Sequence, residues 1–162
     1  MSKPIISIIS AVADNNVIGS NNDLIWHISE DLKRFKEITT GKTVVMGKRT
    51  FESIVKRLGK PLPNRKNVVL ARPEEKINED VVVVHDIESV LNLDDEEVII
   101  IGGGQVYAQF LPLADRLYIT HVHQSPEGDV KFPEVNWSEW KETYREDHEG
   151  FSFVNYTRPL PA

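Results

Sequence analysis

Cysteine is missing from this chain of 162 residues, and that alone removes several chemistries. Without a thiol there is no disulfide framework, no thiol nucleophile and no thiolate metal site. The absence fits a reducing compartment, so a cytoplasmic protein is the expectation. An apolar run of membrane-spanning length is lacking too. The stretch Lys3-Pro4 followed by Ile5 to Ala13 mimics a short signal peptide, with Ala11-Val12-Ala13 as a mock cleavage site. A single Lys precedes it, however, and Ser7 and Ser10 interrupt it, so a buried first strand explains it better. The sequons at Asn136 and Asn155 then carry no meaning. There is no surplus of positive charge, and the net charge of −6 argues against general nucleic-acid binding. Internal repeats, low-complexity tracts and linkers are absent, which leaves one domain spanning residues 1–162. No spare apolar helix face or heptad is left over, so a monomer is expected.

What is present is an ordinary globular mixture, 40% hydrophobic and 27% charged. The charges are segregated. Residues 33–72 hold twelve Lys or Arg against two acids, Glu37 and Glu52, a local +10; the other residues hold seven bases against twenty-three acids, a local −16. Bases spread over several elements in this way favour a small polyanionic ligand.

Hydrophobic periodicity predicts strands near Ile5–Ala11, Thr43–Met46, Lys66–Leu70, Val81–Val84, Val98–Ile101, Arg116–His123, Trp140–Glu146 and Phe151–Thr157. The middle ones are continuous Val/Ile runs, as expected of strands covered on both faces. Helices fit Ser29–Thr39, Lys48–Leu58, Ile87–Leu93 and Gly104–Phe110. The alternation gives an α/β fold. It is a single domain with a central, mostly parallel twisted sheet, antiparallel strands at the C-terminus and about four flanking helices. Residues 13–28 read as a long loop, and a loop of that length is more often functional than idle.

Four motifs bear on chemistry. Asp31 lies in the first turn of a helix that Ser29 is placed to cap, bordering a face marked by Leu32, Phe35 and Ile38. It is either a complement to the helix dipole or a carboxylate held in a cleft. Two strand ends, Val44-Val45-Met46-Gly47-Lys48-Arg49-Thr50 and Ile101-Gly102-Gly103-Gly104-Gln105-Val106-Tyr107, run through glycine into helices. Together they suit the two ends of a pyrophosphate, although each alone is also an ordinary turn. The glycine spacing is not that of the Rossmann fingerprint. Pro61-Leu62-Pro63-Asn64-Arg65 gives Arg65 a rigid approach, ready for a carboxylate or simply solvated. His121 and His123 share one side of a strand, but no third ligand is evident and no metal is expected.

Taken in order, these segments closely resemble bacterial dihydrofolate reductase. The matches include Val17-Ile18-Gly19, Trp26, Asp31-Leu32-Lys33-Arg34-Phe35-Lys36, Val45 to Ile54, Pro61 to Arg65, Ile101 to Tyr107, Leu117 to His121, and Glu127-Gly128-Asp129 before Phe132-Pro133. The resemblance implies NADPH-dependent reduction of 7,8-dihydrofolate to tetrahydrofolate, with hydride to C6 and a proton to N5. It implies catalytic roles for Asp31, for Trp26 ordering a water, and for Thr120 and Tyr107. Dihydrofolate, or a diaminopyrimidine antifolate, would meet Ile9, Asp31, Leu32, Phe35, Ile54, Leu62, Arg65, Ile101 and Thr120. NADPH would meet Ala11, Ile18, Gly47, Lys48, Arg49, Thr50, Leu70, Arg72, Gly103, Gly104, Gln105, Val106 and Tyr107. Lys48, Arg49 and Arg72 are the candidates for its 2′-phosphate, and the Gly102–Gly103 peptide is expected to be cis.

The chain departs from the family pattern at Ile25, at Ile28-Ser29, at Ala71 and Gln105, and in four extra residues, Val55 to Leu58. Those four add about one turn, so the helix lengthens without rotating its apolar face. A sister reductase acting on a ribosyl- or ribityl-aminopyrimidine, or a non-catalytic nucleotide sensor, would share the glycine junctions. Neither has need of Asp31 beside Trp26, or of Pro61 to Arg65.

Overall fold

A computed structural model describes residues 3–19, 28–77 and 81–159. Trp26 and Ile25 lie outside the described residues. The chain runs β1 (Ile5–Ala13), β2 (Val17–Gly19), α1 (Ser29–Thr39), β3 (Thr43–Gly47), α2 (Lys48–Leu58), β4 (Lys66–Leu70), β5 (Val82–Val84) and α3 (Ile87–Leu91). It continues with β6 (Glu97–Gly102), α4 (Gly104–Phe110), β7 (Arg116–Val122), β8 (Val130–Lys131), β9 (Lys141–His148) and β10 (Phe151–Thr157). One eight-stranded sheet has the order β5-β4-β3-β6-β1-β7-β10-β9. It is parallel from β5 to β7, and β10 runs antiparallel to both β7 and β9.

The parallel strands explain their own composition. Side chains alternate across a sheet, so a strand buried on both faces needs apolar residues at every position. Val45, Val68, Val98 and Ile100 pack on one face with Val90 of α3 and Phe110 of α4. Val44, Met46, Val69 and Ile99 pack on the other with Phe51 and Ile54 of α2. At the far edge, β9 is exposed along its whole length, and its sequence, KETYREDH, is mostly charged. Charge on an edge strand discourages pairing with another chain.

The structure differs from expectation in three places. Residues 13–28 are not all loop: Val17–Gly19 pairs antiparallel with Val130–Lys131. Both strands are too short to show a periodicity, so only the pairing reveals them. Ser29 is the first helical residue, not the cap. The cap is Ile28, with extended backbone (φ −106°, ψ 110°), and its carbonyl accepts from the N–H groups of Asp31 and Leu32. Leu32 does not face the core; it is 49% exposed, because α1 overhangs the mouth of a cleft. The added turn in α2 behaves as expected. Val55 packs on the core, and Gly59 ends the helix in the left-handed region (φ 76°), a conformation that glycine adopts without strain.

Candidate active site

The carboxyl ends of β1, β3, β4 and β6 open into one cleft of about 1880 Å³. Single-ligand pockets run to roughly 1,000 Å³, so this space suits two ligands side by side. Its position follows from topology. The chain lays down β3, β4 and β5 outward from β1, then returns to insert β6 between β3 and β1. Ligand crevices in open α/β sheets form outside the carboxyl ends of strands where the winding reverses. A smaller hollow of about 650 Å³ beside β7, lined by His121, Phe132 and Trp137 among others, has no glycine junction at its rim.

One wall carries Asp31. The Thr120 hydroxyl donates to Asp31 Oδ1 at 2.5 Å, tying α1 to the middle of β7. Burial pushes the Asp31 carboxyl up from the ordinary Asp range, opposed by the Thr120 hydrogen bond and by the charge of Arg34. Arg34 is held in turn by the C-terminal hairpin. Its guanidinium donates to the Asn155 side chain and lies 4.7 Å from the centre of the Phe153 ring. Phe153 pairs with Thr120 across the sheet, so the carboxylate, its hydroxyl donor and the cation form one packed group.

Asp31, Leu32, Phe35, Ile54 and Leu62 line this part of the cleft, and Arg65 stands at its end. The Arg65 side chain is preset. Nε donates to Thr39 Oγ1 at 3.0 Å, Nη1 donates to the Pro63 carbonyl at 2.9 Å, and the guanidinium lies 5.9 Å from the Phe35 ring centre. Asn67 holds the turn that carries it. Its amide donates to the Leu62 and Arg65 carbonyls, and its oxygen accepts from the Leu62 N–H.

At the other end the two glycine junctions lie side by side. Met46 of β3 pairs with Gly102 of β6, and the Gly102–Gly103 peptide is cis. The bare backbone leaves little room for a side chain. A Cβ on Gly47 would stand 3.1 Å from Val106 Cγ2, one on Gly103 would stand 3.3 Å from Thr50 Oγ1, and one on Gly104 would stand 3.0 Å from Val130 Cγ1. Ile9, Ala11, Ile18, Lys48, Arg49, Thr50, Leu70, Arg72, Ile101, Gln105, Val106 and Tyr107 also line the cleft. Exposed main-chain N–H groups beside cations are what a dinucleotide phosphate needs, so these residues fit NADPH. Lys48 already has a partner, Glu75, at 3.4 Å.

Every predicted site residue in the described part lines the cleft except Thr120, which reaches it through Asp31. Tyr107 is buried, with its phenol 2.8 Å from the Ile9 carbonyl and 2.9 Å from that of Ile101. Burial pushes its ionisation far up, so it is neutral. The rings of His121 and His123 meet Tyr156 and Ser152 respectively. Nothing in the sequence marks Thr39, Asn67 or Glu75 as site residues, or Arg34 beyond its place in the family string. Each acts through a contact set by another segment, and no spacing encodes that.

A cleft with bare glycine junctions at one end and a partly buried carboxylate, Asp31, at the other suits a nucleotide-dependent enzyme on an α/β sheet. Comparison with known proteins narrows the class. The family model described as dihydrofolate reductase matches residues 5–158. The dihydrofolate reductase HdrB of Haloferax volcanii is 44% identical, covering 96% of this chain and 84% of its own. The type 3 enzyme of Salmonella typhimurium is 48% identical over 89% and 88%. A solved structure of dihydrofolate reductase from Enterococcus faecalis, complexed with NADP(H) and RAB-propyl, superposes with a TM-score of 0.83 at 36% identity, covering 95% of this chain and 96% of that one. The chain belongs to the dihydrofolate reductase family, whose members are NADPH-dependent oxidoreductases.

Proposed function

We propose that Asp31 is the single ionisable group at the pterin in the NADPH-dependent reduction of 7,8-dihydrofolate to 5,6,7,8-tetrahydrofolate that this chain catalyses. The observation that carries this reading is the Asp31–Thr120 pair on the cleft wall. When bound, NADPH supplies the hydride, which goes to C6 of the pterin.

The protein's own part is to place the substrate and to favour a proton at N5. Burial makes the bare Asp31 charge costly, and a cationic partner would relieve that cost. The carboxylate therefore raises the proton affinity of the ring that it binds. Thr120 fixes the orientation of the carboxylate, and Arg34 limits how far its proton affinity climbs. Phe35, Ile54 and Leu62 hold the aminobenzoyl group and Arg65 takes the glutamate carboxylate, its guanidinium already aimed through Nε by Thr39 and through Nη1 by Pro63. Gly47 to Thr50 and Gly103 to Tyr107 cradle the cofactor. Tyr107 is a positioning residue there, donating its one proton to a strand carbonyl beside the cis peptide. A protonated 2,4-diaminopyrimidine would pair with the same Asp31 carboxylate.

The eight-stranded sheet carries a core on each face, which supports a single domain, and the exposed charged edge strand β9, which discourages pairing with another chain, supports a monomer. A chain without cysteine suits the cytoplasm. A ribosyl-aminopyrimidine reductase would have no use for the preset Arg65, which favours a folate. Mixing the protein with NADPH and dihydrofolate should remove the absorbance band of the reduced nicotinamide, one equivalent per dihydrofolate. Consumption with a ribosylaminopyrimidine but not with dihydrofolate would reverse the reading.

A further inference from the structure

Among the described residues, four acids besides Asp31 line the cleft with its bases, Glu75, Asp86, Glu88 and Asp129, and Glu75 is paired with one of those bases, Lys48. No acid lies between Glu52 and Glu74, and Arg72 closes the basic stretch two residues before Glu74. Glu75 then folds back on Arg72. Its N–H donates to the Arg72 carbonyl at 3.0 Å, and its Oε1 accepts from the Arg72 N–H at 2.9 Å. Its other oxygen stands 3.4 Å from Nζ of Lys48, the first residue of α2. The carboxylate is therefore fixed by its own turn and not merely drawn over by Lys48. The Arg72 N–H holds it below the usual carboxylate range, with Lys48 assisting, so it is ionised at neutral pH. Glu75, Lys48, Arg49 and Arg72 all line the cleft.

We propose that Glu75 is a specificity-determining residue, a counter-anion built into the phosphate patch that moderates the preference for NADPH over NADH. The proposal rests on the cofactor reading above. A 2′-phosphate approaching Lys48 meets a cation that is already paired and a fixed carboxylate of its own sign, and like charges brought together weaken binding. NADH brings a 2′-hydroxyl instead, which adds no charge for the carboxylate to repel. Glu75 thus lowers affinity for the phosphorylated cofactor alone. Both members of the ion pair are about one third exposed, at 30% each, so solvent screening keeps the effect modest.

The test is a set of dissociation constants, measured calorimetrically for wild type and Glu75→Gln with NADPH, NADH, 2′,5′-ADP and 5′-ADP. Gln keeps the acceptor for the Arg72 N–H and removes only the charge. The variant should bind NADPH and 2′,5′-ADP more tightly by roughly 1.5- to fivefold, the range of an exposed charge pair. Affinities for NADH and 5′-ADP should stay as they were, and the gain should shrink at high salt. No gain, an equal gain for all four ligands, or a gain that persists at high salt would overturn the proposal. A wild type that bound neither NADPH nor NADH would refute the cofactor reading itself, a different failure.

Discussion

Replacing Arg65 by Met separates recognition of the substrate's tail from chemistry at its ring. Met keeps an apolar stem against Phe35 and removes only the charge and the donors. The fold should hold, because Asn67 braces the Pro61-to-Arg65 turn with three hydrogen bonds, to Leu62 and Arg65, whereas the Arg65 side chain adds one, to Pro63. Two of the Arg65 hydrogen bonds are internal, to Thr39 and Pro63, and they serve to aim the fork. Toward the ligand, the variant gives up one charge-assisted hydrogen bond to a carboxylate, typically about 1.5–3 kcal/mol. That converts to roughly ten- to a hundredfold in affinity. The assay compares dihydrofolate with a dihydropterin that lacks the glutamate. Arg65→Met should raise KM for dihydrofolate by that factor and leave kcat and the KM for NADPH nearly unchanged. Turnover of the truncated dihydropterin should not alter. Equal losses on both substrates would show that Arg65 only stabilises the turn, and no loss on either would refute the assignment.

Two further substitutions probe the cofactor end and the opposite end of the sheet. Gly103→Ala places a Cβ 3.3 Å from Thr50 Oγ1, a contact that local adjustment absorbs, while the new methyl crowds the bare backbone facing the cofactor. Affinity for NADPH, read by fluorescence titration, should fall by about tenfold, the equivalent of roughly 1.4 kcal/mol, with a thermal midpoint close to that of wild type. Glu97 sits at the opposite end of the sheet, buried, and accepts from Lys42, Ser7 and Tyr118. Burial alone would raise its pKa, but those hydrogen bonds outweigh burial and leave it lowered. A lowered folded-state pKa contributes stability above the unfolded value, lost as pH falls through the folded one. Glu97→Gln should therefore cost about 1–3 kcal/mol in denaturant unfolding at neutral pH, and the gap should close in acid. A gap that did not depend on pH would contradict the assignment.

Much of this molecule is legible from sequence because its core is strongly patterned. The Val/Ile runs of β3, β4 and β6 mark strands covered on both faces, and the structure starts and ends β4 and β10 at the residues predicted. The two glycine junctions are local features, so their positions could be read directly. What could not be read depends on pairing between distant segments. β2 and β8 have three and two residues and, among the described residues, pair only with each other. Leu32 completes a helical stripe, yet it faces a cleft and not the core, since periodicity marks an apolar face without saying what covers it. Lys48 reads as a free phosphate ligand until the turn at Arg72 brings Glu75 against it. Arg34 reads as one more base in a charged stretch until β10 supplies Phe153 and Asn155.

The central claim is that one carboxylate, Asp31, supplies the electrostatic assistance for protonating the pterin. The measurement that tests it most directly is the pH dependence of dihydrofolate turnover by Asp31→Asn beside wild type. Asn is nearly isosteric and still accepts from Thr120, so fold and NADPH affinity should be kept. The rate at neutral pH should fall by about a hundred- to ten-thousandfold, the usual worth of positioned acid–base assistance. It should recover in part as pH falls, because solvent then protonates the substrate directly, whereas wild type should lose activity in a single titration as pH rises. Turnover by Asp31→Asn at the wild-type rate across neutral pH would contradict the claim and reduce Asp31 to a complement of the helix dipole.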